Sequence, residues 1–124
     1  MITILLVDDM PDLLEITRIF LEKEGDLAVD TAMSAEEAFR MLHERKYDAV
    51  VSDYNMPEMD GLALLRAVRS HPVVRKVPFI LLTGRGDREL VVKAAEAGVN
   101  NYLVKPFTAA ILREKIEQVM GKLS

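Results

Sequence analysis

Val50-Val51-Ser52-Asp53-Tyr54-Asn55-Met56-Pro57 decides the fold. Its apolar run, which opens near Asp48, has the length of a strand buried on both faces. It ends in a carboxylate, and Pro57 interrupts the backbone soon after. Asp53 therefore falls at the carboxyl end of a core strand, where an acidic group needs a partner. Upstream, Ile2 to Val7 is another apolar run, stopping at Asp8-Asp9. Downstream, Pro78 to Thr83 and Val99 to Val104 repeat the pattern, ending at Thr83 and Lys105. Leu27 to Thr31 alternates apolar and polar residues, as an edge strand does.

Helical spacing fills the intervals. Pro11 suits a first helical position, with Leu13, Leu14, Ile16, Thr17, Phe20 and Leu21 as the apolar set up to Gly25. Ser34-Ala35-Glu36-Glu37 has the capping-box pattern ahead of Ala38, Met41 and Leu42. A third helix begins near Gly61 and carries Leu62, Leu65 and Val68, ending before Pro72. A fourth, capped by Asp87, turns Leu90, Val91, Ala94 and Ala95 inward and stops at Gly98. Thr108 caps a fifth, with Leu112, Ile116, Val119 and Met120 facing inward.

Five strands alternating with five helices predict an α/β three-layer sandwich with right-handed crossovers and a parallel sheet. Five units are too few for an eight-unit barrel. The amphipathic second strand belongs at an edge, which favours the flavodoxin-like (βα)5 order 2-1-3-4-5. Ligands of such sheets sit beyond the carboxyl ends of the strands, at the switch between the first and third.

The 124 residues suit one domain, 1–124, and the net charge of −4 shows no basic footprint for nucleic acid. The basic residues between Arg66 and Lys93 read as solvated helix faces. With no cysteine there is neither a disulfide framework nor thiolate chemistry. The first strand lacks the flanks of a signal peptide and the length of a membrane span, so the expected location is the cytoplasm, without membrane insertion.

The strand ends bring Asp8, Asp9, Asp53, Thr83 and Lys105 to one rim. Carboxylates so close cannot all stay ionised without compensation. Hard oxygen donors with no His or Cys among them select Mg2+, with Mn2+ as an alternative. Mg2+ held by few protein ligands normally also takes a phosphate oxygen, which points to phosphoryl transfer onto Asp53, with Lys105 and Thr83 on the phosphoryl oxygens. Other readings are open for the single residues. Asp8 and Asp9 could cap the first helix, and Lys105 could be an ordinary exposed lysine. His43 and His71, on a helix face and after a helix, read as surface residues.

Val7-Asp8-Asp9, Asp53 with Met56-Pro57-Glu58-Met59-Asp60-Gly61, Thr83-Gly84, and Tyr102-Leu103-Val104-Lys105-Pro106-Phe107 together resemble the receiver domain of two-component response regulators. The resemblance runs the length of the chain. With only Gly121 to Ser124 after the fifth helix, it is nearest to single-domain, chemotaxis-type receivers. It implies that Asp53 is phosphorylated from a sensor histidine kinase or phosphotransfer protein. It also implies that Asp9 and Asp53 ligate Mg2+, Asp8 acts through a coordinated water, and the Asn55 main-chain carbonyl completes the site. Thr83 and Lys105 match the phosphoryl-binding hydroxyl and ammonium, and Tyr102 the aromatic switch; a half-exposed strand tyrosine is the plainer reading of Tyr102. The Lys105-Pro106 bond is expected to be cis. The implied output face is the fourth helix, fifth strand and fifth helix, including Arg88, Val92, Asn101 and Tyr102. Asn55 and Arg85 match positions that tune phosphoryl lifetime, and Gly84 and Gly86 give the intervening loop freedom.

Rival classes are weaker. Asp53-Tyr54-Asn55 is superficially similar to the Asp-x-Asp of haloacid-dehalogenase-like phosphatases, but Asn55 replaces the general acid and no cap segment is present. A flavin carrier would need a hydroxyl-rich loop where Asp8-Asp9-Met10 stands. A pseudo-receiver, acting only as an interaction module, would not need the intact acidic set.

Overall fold

A computed structural model describes residues 1–84 and 88–121. In chain order the elements are β1 (Ile2–Val7), α1 (Pro11–Glu22), β2 (Leu27–Ala32), α2 (Ala35–Glu44), β3 (Ala49–Asp53), α3 (Gly61–Ser70), β4 (Phe79–Thr83), α4 (Arg88–Glu96), β5 (Asn101–Val104) and α5 (Ala109–Met120). The strands form one parallel sheet in the order β2-β1-β3-β4-β5. This is the expected flavodoxin-like sandwich, and β2 does lie at an edge.

Alternation along the central strands sends side chains into two separate cores. Leu5, Val7, Val50, Phe79 and Leu81 pack against α2, α3 and α4. Ile4, Leu6, Val51, Ile80, Leu82 and Leu103 pack against Leu14 and Leu21 of α1 and Leu112 and Ile116 of α5. Both faces of β3 and β4 are thus covered, and every residue of these two strands is buried. Continuous apolar runs are what such doubly covered parallel strands require.

Some details depart from the expected pattern. In α1 only Leu14 and Leu21 are buried, while Leu13, Ile16 and Phe20 stay exposed, Ile16 to 67%. The helix touches the sheet along a narrow stripe and keeps an apolar flank in solvent. In α4 Leu90 and Ala94 are buried, Val91 is half-buried and Ala95 is exposed. Val119 and Met120 of α5 are only partly buried against the second core. β5 begins two residues late, because Gly98 adopts φ +92 and the Val99 amide returns to the Ala94 carbonyl to close the helix end. The capping box at α2 is half-formed. Ser34 accepts from the Glu37 amide as expected, but the Glu37 carboxylate accepts from the Met33 amide. Thr108 caps α5 by accepting from the Ile111 amide. Arg85, Gly86 and the expected Asp87 cap lie outside the described residues, as does the tail 122–124.

Arg69 corrects the reading of the basic residues as solvated faces. Its guanidinium donates to the carbonyls of Gly98, Arg75 and Val77 and to Asn100 Oδ1. Burial lowers its pKa from the ordinary arginine value. It is a structural tie joining α3 to the turns that lead into β4 and β5. Arg66, Arg75, Lys76, Arg88 and Lys93 are exposed as expected.

Candidate phosphoryl-acceptor site

The register of the sheet assembles the rim. Val7 pairs with Ser52, Asp53 with Leu82, and Thr83 with Val104, so residues just beyond these positions emerge together. Asp8, Asp9 and Asp53 each offer a carboxylate oxygen within 4.8 Å of the others. Asp8 and Asp53 are 4% and 3% exposed, and Asp9 is half-buried. Lys105 Nζ stands 2.8 Å from Asp53 Oδ1. The contact is electrostatic, because Oδ1 accepts no well-directed hydrogen bond. A buried carboxylate oxygen with an unspent lone pair is poised for another electrophile.

Asp8 carries the strain of this crowding. Its pKa is raised above the usual 3.8, first by burial and then by the Asp53 charge, with its contact to Asp9 adding to the rise. The Met10 amide and the charge of Lys105 pull in the opposite direction. The helix-cap reading of the acidic pair is overturned. Met10 occupies the N-cap of α1 with no side-chain hydrogen bond, and Asp8 Oδ1 accepts from the Met10 amide at 3.1 Å. A hard dication fits these donors: all are carboxylate oxygens, two are buried, and burial and the Asp53 charge outweigh the groups that favour ionised Asp8.

Thr83 is buried at the end of β4, and its carbonyl accepts from the Lys105 amide at 2.7 Å, which sets the lysine beside it. The Lys105-Pro106 bond is cis. Asn55 is exposed in the loop after β3. Tyr102 is 37% exposed.

Two residues beside Asp53 take roles that the sequence does not announce. Ser52 Oγ donates to the Asp53 carbonyl at 3.0 Å, and the Gly61 amide donates to the Tyr54 carbonyl, also at 3.0 Å. A Cβ on Gly61 would stand well inside contact distance of the Asp53 carbonyl oxygen and 2.9 Å from Leu81 Cδ1. Gly61 thus lets the start of α3 rest directly on the acceptor's backbone. Asp60 closes the same junction, accepting from the Ala63 amide as N-cap of α3. The Asp-Gly pair was legible as a turn; its abutment on Asp53 was not.

Residues 4–117 match the family model described as response regulator receiver domain. The chain belongs to this family. Among curated proteins it is 40% identical over 121 residues to the chemotaxis protein CheY of Pseudomonas aeruginosa, covering 98% of each chain. It is 38% identical to CheY-3 of Vibrio cholerae, covering 97% of this chain and 92% of that protein. Among solved structures, CheY4 of V. cholerae superposes with a TM-score of 0.90 at 29% identity, over 96% of this receiver and 98% of that chain. The response regulator TrrA of Thermotoga maritima, solved in complex with Mg2+–BeF, gives a TM-score of 0.83 at 32% identity, over 96% and 99%. The receiver is thus the module of two-component signalling that its motifs resemble, and is not of a turnover-enzyme class. No helix among its described residues is long and apolar enough to cross a membrane.

Proposed function

We propose that this receiver is a cytoplasmic phosphorylation switch of the chemotaxis type, one domain accepting a phosphoryl group on Asp53. The observation that carries this reading is a buried Asp53 carboxylate with Asp8 and Asp9 within 4.8 Å and the Lys105 ammonium at 2.8 Å. The donor is a phosphohistidine on a sensor kinase or phosphotransfer protein. An Asp53 oxygen attacks phosphorus, the P–N bond breaks, and the bond's electrons leave on the imidazole, which takes up a proton. Asp9, Asp53 and the Asn55 carbonyl would hold Mg2+, with Asp8 contributing through water; Mn2+ is the alternative. The bound ion supplies charge neutralisation at the phosphoryl oxygens. Asp53 supplies the nucleophile, Lys105 holds a phosphoryl oxygen by its charge, and Thr83 donates its hydroxyl to another.

The output follows as a population shift between two arrangements of α4 and its flanking segments. Thr83 moving toward the phosphoryl group would vacate space for the Tyr102 ring. Val92, Tyr102, Val104 and Ile111 form a partly exposed apolar set on the α4-β5-α5 face, suited to a downstream protein. Arg88 and Asn101 add polar groups to that face. Neither direct nucleic-acid binding nor membrane insertion belongs to this reading.

The test is phosphorylation by acetyl phosphate, or beryllofluoride addition, followed by intact mass. We expect one acid-stable, base-labile phosphoryl group that requires Mg2+ and is absent in Asp53→Asn. Modification that persists in that variant, or that ignores Mg2+ removal, refutes the assignment. Sustained turnover of a phosphomonoester would favour a phosphatase instead.

A further inference from the structure

The amino edge of the parallel sheet lies opposite the acidic rim. Helices that begin at the acidic rim end at the amino ends of the strands, and there the two histidines of the chain meet. His43 lies in the last turn of α2 and His71 is the C-cap of α3. Their Nε2 atoms are 2.8 Å apart, across 28 residues of sequence. We propose that His43 and His71 form a binding site for a divalent transition metal ion of the zinc class, separate from the oxygen-donor rim.

The hydrogen bonds define which nitrogens are available. A carbonyl only accepts, so the 2.7 Å contact of His43 Nδ1 with the Phe39 carbonyl places a proton on Nδ1 and leaves Nε2 a bare lone pair. A ring nitrogen bound to a carbonyl in this way is the usual support behind a metal-ligating histidine, fixing both tautomer and orientation. His71 Nδ1 accepts from the Val73 amide at 3.2 Å, so its Nε2–H points at His43. One proton therefore occupies the space between two imidazole nitrogens. For a metal to take its place, that proton moves to His71 Nδ1. Both rings remain neutral, no proton is released, and only the long Val73 contact is given up.

The geometry asks for little movement. At metal–nitrogen distances of about 2.0–2.1 Å, tetrahedral ligands lie about 3.3 Å apart, so the rings would separate by roughly half an ångström. His43 is exposed and His71 half-buried, so both can adjust. Phe39 restrains them by edge contacts, with centroids 4.7 Å from His43 and 5.9 Å from His71. Imidazole donors favour Zn2+, Ni2+ or Cu2+ over Mg2+, the reverse of the carboxylate rim. The remaining positions open to water. The adjoining cleft of about 560 Å³ is lined by Glu44, Arg45, Lys46 and Lys76, with Arg45 paired to Asp30. A bound ion would fasten the end of α2 to the end of α3, in the half of the fold that carries no phosphoryl chemistry.

The experiment is a Zn2+ titration of the whole chain in excess Mg2+, which keeps the rim filled, read by calorimetry and by the imidazole 15N resonances. We expect one Zn2+ per chain at micromolar affinity, with the Nε2 resonances of both histidines moving together. His43→Gln and His71→Asn should each weaken binding by roughly tenfold or more. His71→Cys should retain binding, because a thiolate is an equally good zinc ligand. Melting curves in chelator establish that each variant is folded. Undiminished Zn2+ uptake in the His43→Gln/His71→Asn double variant overturns the proposal. So does uptake abolished by Asp9→Asn, which would place the ion at the rim, or no uptake in the micromolar range.

Discussion

The two edges of the sheet are built from opposite materials. At the carboxyl edge, anionic oxygens are buried beside the starts of the helices, and Asp53 Oδ1 is held near Lys105 without a directed hydrogen bond. At the amino edge, nitrogen groups sit where helices end, and directed hydrogen bonds hold His43, His71 and Arg69. The first edge stores unsatisfied charge, which a phosphoryl group and a cation can relieve. At the second, Arg69 ties the scaffold together by four donated hydrogen bonds, and the two histidines share a proton that a metal ion can replace. The phosphoryl-acceptor oxygen is left short of partners, whereas the Arg69 tie has four acceptors.

Replacing one cation at each edge is the strongest way to break that contrast. Lys105→Met should slow phosphoryl uptake from acetyl phosphate by roughly a hundredfold or more, the size of a lost electrostatic contact to the reacting group, with a smaller loss of stability as the buried carboxylates lose their counter-charge. Arg69→Met should do the opposite. It removes four donated hydrogen bonds and should lower stability by roughly 2–4 kcal/mol, with uptake rates within about twofold. Equal losses of rate in the two variants would show that the edges are not separable.

The glycines sharpen the same contrast. Gly61→Ala forces a methyl against the Asp53 carbonyl and Leu81, so the acceptor strand must shift; about 1–3 kcal/mol of stability and most of the phosphorylation rate should go together. Gly98→Ala meets the side chain of Arg69 at 3.0 Å and a positive φ of +92. The methyl should cost about 1–2 kcal/mol through the backbone, and the rate should stay. Paired denaturation and phosphorylation assays decide both.

Asp8 tests whether the stored charge is real. Folding raises its pKa above the unfolded value of 3.8, so without a cation its favourable contribution is complete only below that value and is lost as pH rises through the folded pKa. Asp8→Asn should therefore melt higher than the parent at neutral pH in chelator, and the advantage should vanish in acid below the ordinary aspartate range. Mg2+ should stabilise the parent more than the variant, because it binds the native carboxylates. A variant that melts lower at neutral pH in chelator would show that the Met10 contact outweighs the crowding.

Sequence legibility divides along the same line. Asp8, Asp53, Thr83 and Lys105 could be placed because each ends an apolar run, and a strand end has a defined position in a parallel sheet. The amino edge has no such marker. His43 and His71 are 28 residues apart on two helix ends, and their meeting depends on how α2 and α3 pack. Arg69 looks like any polar helix residue until the turns leading into β4 and β5 fold over it. The exposed flank of α1 was hidden for a related reason, since apolar spacing reports a helix face and not how much of it the sheet covers. Gly61 was visible as a turn residue, but its role depends on the Asp53 carbonyl lying behind it.

The smallest effect belongs to the cleft beside the histidines. Tyr47 is buried there, and its hydroxyl donates to Asp30 Oδ2 at 2.6 Å, joining the segment before β3 to β2. Burial first, and then the Asp30 hydrogen bond, push the phenol from 10.0 up to about 12. Because the folded value lies above the unfolded one, the stabilisation is complete below pH 10.0 and is lost as pH rises toward about 12. Tyr47→Phe should cost about 1–2 kcal/mol near neutrality, the worth of a hydrogen bond to a charged acceptor. The gap to the parent should close as both are melted in increasingly alkaline buffer, with phosphoryl uptake unaffected throughout. A gap that is constant from neutral to strongly alkaline pH would mean that Tyr47 acts through ring packing alone, and that the amino edge is held less by directed hydrogen bonds than its geometry implies.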